Sequence, residues 1–117
     1  MKRTSLSVAA AALPLVTAGL IGVSSAPAQA DCGHAWSNKD SGSGSAIWSD
    51  PTPKLRSGPH DSWDLVYWIP GGTTLYYHCY TVNAAGNTWT HARRSGTDIQ
   101  GWIWDGYLAD GGSTKRC

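Results

Sequence analysis

The chain has 117 residues, and its nine Lys and Arg against eight Asp and Glu give a formal net charge of only +1. A charge this close to neutral provides no basic field for nucleic acid or for an anionic membrane surface, so it argues against both classes of binding protein. Seven Trp, five Tyr and 14 Gly, with no Phe, favour strands and turns over helices.

Residues 1–30 have the pattern of a secretory signal peptide. Lys2-Arg3 forms a positive start, an apolar run extends from about Leu6 to Val23, and Ala28-Gln29-Ala30 supplies the small-x-small cleavage pattern. Polar residues interrupt the apolar run, which argues against a transmembrane anchor. We therefore expect a secreted protein, extracellular or associated with the cell wall, with no membrane attachment after cleavage.

Residues 31–45 are rich in Gly and Ser and predict a flexible lead-in, although Trp36 could still dock on the domain. The ordered domain is expected over 46–110. Its predicted strands are short and are separated by Gly- and Pro-containing turns. Residues 46–48 open the ordered part, and the strands lie near residues 54–59, 65–69, 73–82, 88–94 and 101–104, with at most one helical turn at 105–108.

About five short antiparallel strands in so short a stretch favour an all-β fold, a small closed or half-closed barrel. An oligonucleotide-binding barrel is the alternative, and the lack of a basic groove argues against it. In the strand around Trp89, alternation places that indole and His91 on the face opposite Ala92. The next strand places Trp102 and Trp104 opposite Ile103, so we expect the aliphatic side chains inside and these indoles exposed. Trp68, by contrast, is expected in the core.

Three cysteines follow the predicted cleavage site, and an oxidising compartment favours a disulfide among them. Cys79 lies in a predicted strand and Cys117 ends the chain, so a bond between them would tether the tail 111–117. Cys32 with either partner is the alternative. Whichever cysteine is left over could be buried, capped or joined to a second chain.

Several short motifs together resemble the bacterial SH3-like (SH3b) domain family of secreted and cell-wall proteins. They are Leu55-Arg56-Ser57-Gly58-Pro59, Ile69-Pro70-Gly71-Gly72-Thr73, Asn87-Thr88-Trp89 with Ala92, and Gly101-Trp102-Ile103 followed by Tyr107-Leu108. The resemblance covers about residues 46–109 and implies an SH3-like barrel. It also implies a binding partner from the cell wall, a peptidoglycan stem or bridge peptide.

The last of these stretches is also similar to eukaryotic SH3 domains, in which aromatic side chains form the floor of a peptide groove. That similarity assigns the floor to Trp89, Trp104 and Tyr107, with Trp104 standing where the eukaryotic pattern has proline. Trp63 and Trp48 are expected to line the rim of the groove. Asp61, Asp64 and Asp105 could contact an amino group of the peptide.

Two further groups of residues have the side chains of a metal site or of a catalytic site. His78 and His91 are predicted to face each other across a hairpin, but two histidines without a third ligand are more typical of exposed strand residues than of a metal site. Cys79, His91 and Asp98 have the composition of a thiol nucleophile system, although the same cysteine is the best disulfide candidate. We therefore predict no catalytic residues, no metal and no cofactor.

Taken together, the sequence predicts a secreted, non-enzymatic module that holds an extended Gly- or Pro-containing peptide on an aromatic groove. The alternative is a secreted structural or inhibitory protein that binds a protein partner, as a monomer or as a Cys32-linked dimer.

Overall fold

The computed structural model describes residues 35–117. The predicted signal peptide and Cys32 lie outside these described residues. The described part is one six-stranded antiparallel sheet with the order β1-β4-β5-β6-β2-β3. The strands are β1 Ser43–Ser45, β2 Lys54–Arg56, β3 Leu65–Trp68, β4 Thr74–Val82, β5 Thr88–Arg94 and β6 Gln100–Trp104, followed by a 3-10 turn at Asp105–Tyr107. The all-β prediction is confirmed, with six strands where about five were expected. No helix in this part of the chain is long and apolar enough to cross a membrane.

The core lies on one face of the sheet and draws on almost every strand. Leu55, Leu75, Ala92 and Ile103 come from β2, β4, β5 and β6, and none of them has any solvent-exposed surface. These four strands are consecutive in the sheet, and their buried side chains form one hydrophobic cluster. Ala92 and Ile103 therefore point inward, as the alternation predicted.

The β4–β5 hairpin is held by its own turn. The side-chain oxygen of Asn83 accepts hydrogen bonds from the backbone N–H groups of Ala85 and Asn87, at 3.0 and 2.9 Å. Gly86 takes a φ of 85°, a conformation that favours glycine. The amide of Asn83 also donates to the Pro59 carbonyl at 2.9 Å. The turn is thus tied to the loop between β2 and β3, and this fixes where β5 begins.

The stretch predicted as a flexible lead-in belongs to the sheet. Its residues Ser43–Ser45 form β1, which pairs with the start of β4. Further back, the Lys39 N–H donates to the His78 carbonyl at 2.8 Å. The prediction of flexibility is wrong for residues 35–45. β4 is nine residues long. Without this pairing, the backbone N–H and C=O groups on its outer edge would lack hydrogen-bond partners within the sheet.

The tail pairs with the same edge of β4. The Tyr80 N–H donates to the Lys115 carbonyl and the Cys117 N–H donates to the Tyr80 carbonyl, both at 2.8 Å. Cys79 and Cys117 form a disulfide that closes a separation of 38 residues. The predicted pairing and the tethered tail are confirmed.

Short hydrogen bonds link the segment before β1, the segment after the 3-10 turn and β4. The hydroxyl of Tyr77 donates to Asp110 at 2.6 Å, and Ser113 donates to Asp40 at 2.7 Å. Burial and the bond to Asp110 raise the pKa of Tyr77 well above its ordinary value. This network holds residues before β1 and after the 3-10 turn against β4.

Candidate peptide-binding site

An open pocket of about 190 Å³ lies where β5 begins and β6 ends. Trp89 and Trp104 are cross-strand partners there, so their side chains share one face of the sheet. The ring of Tyr107, from the 3-10 turn, meets the edge of Trp104 with centroids 5.2 Å apart. Asp61 and Asn87 complete the lining from two loops. The structure therefore brings together the three residues expected to form the floor.

The two tryptophans of this pocket differ in exposure. Trp104 is 40% exposed, whereas Trp89 is 3% exposed. Trp102, which lies on the same face two residues before Trp104, is also 3% exposed. The prediction that Trp89 and Trp102 are exposed is therefore wrong. The indole N–H of Trp89 is also buried, and it finds no hydrogen-bond acceptor within residues 35–117. A buried donor without a partner is uncommon in folded proteins and calls for an explanation.

The two predicted rim residues lie outside the lining of the pocket. Trp48 is 82% exposed and its ring lies against the backbone of Gly71, where a Cβ atom would come within 2.4 Å of it. Trp63 is half-buried and its ring covers Gly58 in the same way. Both glycines are needed for these close approaches. A ligand-binding role for Trp48 or Trp63 stays a prediction.

The charges at the pocket come mainly from Asp61. Its side chain is 84% exposed and lies 3.9 Å from the guanidinium of Arg56. Asp105 is different, because its carboxylate accepts a hydrogen bond of 2.6 Å from Thr90. Burial raises the pKa of Asp105 above its usual range. Neither Asp105 nor Asp64 lines the pocket, so Asp61 is the acidic residue placed to meet a ligand.

Asn87 is the lining residue that the sequence reasoning missed. It closes the β4–β5 turn two positions before Trp89, and that spacing was the available signal. From the sequence, Asn87 is named only as part of the Asn87-Thr88-Trp89 motif, without a ligand contact of its own.

The edge strand β3 exposes all four of its side chains. Leu65, Val66, Tyr67 and Trp68 are between 40% and 51% exposed. The prediction that Trp68 lies in the core is wrong. The core position falls instead on Ile69, one residue later, which is fully buried. Because β3 ends the sheet, no further strand from residues 35–117 pairs with its outer side.

A second aromatic group, the histidine cluster of His78, His91 and Trp36, lies beside Trp102. The two Nδ1 atoms are 2.8 Å apart, so one imidazole donates and the other accepts. Trp36 stacks on both rings, with centroids at 4.6 and 4.0 Å. Trp36 therefore docks, as anticipated, whereas the expectation of exposed histidines is wrong, since they are 6% and 4% exposed.

Burial governs the ionisation of the histidine cluster. Burial, and to a smaller extent the neighbouring His78, lower the pKa of His91 to about 3. Burial and then Arg93 lower the pKa of His78. The described residues contain no group of three His, Cys, Asp or Glu side chains arranged to hold a metal ion.

The thiol nucleophile considered for Cys79 is excluded in this structure. Its sulfur is bonded to Cys117, and Cys79 is fully buried. A disulfide sulfur has no thiolate with which to attack a substrate.

No family model matches the chain. The uncharacterized protein YraI of Bacillus subtilis (strain 168) is 32% identical over 76 residues. That alignment covers 54% of this chain and 64% of YraI, so the chain matches less than two thirds of its relative's length. No solved structure matches. The chain is thus similar to a protein whose name states no activity.

Proposed function

We propose that residues 35–117 form an SH3-like, non-enzymatic binding module of a secreted protein. Its ligand is an extended peptide, and a peptidoglycan stem or bridge peptide is the class that the family resemblance implies. The observation that carries the proposal is the pocket in which Trp89, Trp104 and Tyr107 meet beside Asp61.

The strand arrangement supports the SH3-like part of this proposal. The consecutive strands β4, β5 and β6 pair as a meander, and a 3-10 turn follows directly. After that turn, Leu108 forms a bridge to Ala46, next to β1. This bridge joins the segment after β6 to the segment after β1, a long-range contact that is consistent with a sheet curving toward a small barrel.

The chemistry of the lining supports a peptide ligand. Aromatic rings such as Trp104 and Tyr107 offer large contact areas at a small cost in conformational entropy. The buried N–H of Trp89 is a donor that a peptide carbonyl could satisfy if the ligand displaced the side chains above it. Asp61 would attract a positive group on the same peptide. The bonded state of Cys79 supports the non-enzymatic part.

Replacement of Trp104 tests the proposal. Peptides released from purified cell wall would be titrated against the purified protein and followed by Trp fluorescence. We expect Trp104→Ala to weaken binding by about 30-fold, because a central aromatic contact is worth about 2 kcal/mol. Trp36→Ala is the matched control, since Trp36 is also 40% exposed but belongs to the histidine cluster. Equal affinities in both variants and the parent would contradict the proposed site.

The exposed edge strand β3 supports a second candidate function, binding of a protein partner. Its apolar side chains and unpaired edge are suited to the addition of a strand from another chain. Non-reducing electrophoresis provides a direct check. A covalent dimer that disappears in Cys32→Ser would favour this candidate over the peptide module.

A further inference from the structure

A cation borders the pocket on the side of Tyr107. The Nζ atom of Lys54 lies 6.0 Å from the centre of the Tyr107 ring and 4.8 Å from that of Trp68. Lys54 and Trp68 are cross-strand partners in β2 and β3, so their side chains lie on the same face. The aromatic surface of the pocket thus continues from Trp104 through Tyr107 to this lysine.

Lys54 has hydrogen-bonding capacity to spare. Its ammonium group carries three N–H donors, and one of them donates to the Thr52 carbonyl at 3.0 Å. Within residues 35–117, the ion pair that the structure contains joins Arg56 to Asp61, and no carboxylate lies within 4.0 Å of Lys54. The cation is therefore held by two aromatic rings and a carbonyl, and its charge is not neutralised by the described residues.

The charges are arranged along the β2–β3 hairpin. Lys54 lies at the base of that hairpin, where it pairs with Trp68, and Asp61 lies in the loop at its tip. Lys54 approaches the pocket through Tyr107, and Asp61 lines the pocket directly. An extended ligand with a negative and a positive end would match this arrangement in one direction only.

We propose that Lys54, together with Trp68 and Tyr107, forms a subsite for the C-terminal carboxylate of the bound peptide. This inference rests on the proposed peptide-binding function and adds a direction to it. The flanking rings limit the access of water to the ammonium group, so an ion pair formed there is stronger than one in open solvent. The carboxylate end lies at Lys54, and the rest of the peptide crosses Trp104 toward Asp61.

A pair of peptides that differ in one end group tests the subsite. The probe is Gly-Pro-Gly-Pro-Gly with a free C-terminal carboxylate, compared with the same peptide as its C-terminal amide. We expect the parent protein to bind the carboxylate form about tenfold more tightly at low salt, and less so at high salt. Lys54→Met should bind both forms with the weaker affinity of the amide, and Lys54→Arg should retain part of the preference.

Two controls separate this subsite from the pocket itself. Lys115→Met removes a positive charge from the tail, away from the pocket lining, and should keep the full preference for the carboxylate. Trp104→Ala should weaken both peptides together. A parent that binds both forms equally, or a Lys54→Met variant that keeps the preference, would overturn the subsite and leave the pocket standing. A parent that binds neither form would overturn the subsite and the proposed function for this peptide class.

Discussion

Two cross-strand pairs on the same face of β5 and β6 differ in their surroundings. Trp89 pairs with Trp104, and the next pair on the same face joins His91 to Trp102. Trp104 of the first pair is 40% exposed beside the pocket, whereas Trp36, from the segment before β1, stacks on His91 of the second pair, and Trp102 is buried. The difference shows that strand alternation sets the face of a side chain, and that the segments folded over that face set its exposure.

The contact with Trp36 also changes the chemistry of His91 in the second pair. Under Trp36, His91 of this pair hydrogen-bonds to His78 of β4, and burial lowers the pKa values of both imidazoles, so they stay neutral near pH 7. At the pocket, Trp104 remains 40% exposed, near Asp61 of the loop and Lys54 of the β2–β3 hairpin. The covered pair is therefore suited to stability and the open pair to binding.

The strongest test of this comparison is truncation of one tryptophan from each pair. Trp102→Ala removes a side chain that is 97% buried and should lower the free energy of unfolding by about 3–5 kcal/mol. Trp104→Ala should cost about 1–2 kcal/mol, because much of that ring is already in water. Denaturant unfolding followed by circular dichroism measures both. Losses of equal size would remove the distinction between a covered and an open pair.

Loss of the disulfide should have the next largest effect. The double variant Cys79→Ala/Cys117→Ala releases the tail from β4 and should lower the free energy of unfolding by about 2–4 kcal/mol. Thermal unfolding with and without a reductant measures it. The parent should lose stability on reduction, and the double variant should not respond to the reductant. An unchanged parent would mean that the tail contributes little to the fold.

The histidine cluster predicts a dependence of stability on pH. In the unfolded chain, His91 takes up a proton below about pH 6.5, whereas burial in the fold delays this to about pH 3. The unfolded state therefore binds more protons in that window, and stability falls as the pH is lowered from 6.5 toward 3. The slope should be about 1.4 kcal/mol per pH unit for one such group. His78 adds to the loss in the same direction.

Other charges close to the cluster are few. Arg93 faces His78 and opposes its protonation, while Asp40 lines the same surface depression. A hydrogen bond from Ser113 lowers the pKa of Asp40 below its usual range. Urea unfolding at several pH values, compared with His91→Phe, isolates the histidine contribution. A parent profile as flat as that of the variant between pH 6.5 and 4.5 would refute it.

The parts of the fold that the sequence predicted are those governed by local pattern. Alternation placed Ala92 and Ile103 inside, and the turn chemistry of Asn83–Asn87 separated two long strands. The resemblance to SH3-like domains brought Trp89, Trp104 and Tyr107 to one site, and the structure places them around one pocket.

The errors came from contacts between distant segments. Trp68 was expected in the core because its strand is apolar throughout, but β3 lies at the edge of the sheet and exposes the ring. Residues 35–45 were expected to be flexible because Gly and Ser cannot build a core. They are ordered by backbone hydrogen bonds to β4, which composition does not reveal.

The sequence by itself determined the β-strand content and the inward aliphatic side chains, because these follow from alternation and turn residues; it offered Cys79 with Cys117 as one of the open disulfide pairings, which the structure decides. Only the tertiary structure decided which indoles stay in water and which ring neighbours Lys54. Those properties depend on the path of segments far apart in the chain. Whether a side chain is buried depends on which distant segment packs over it, and no local sequence pattern encodes that.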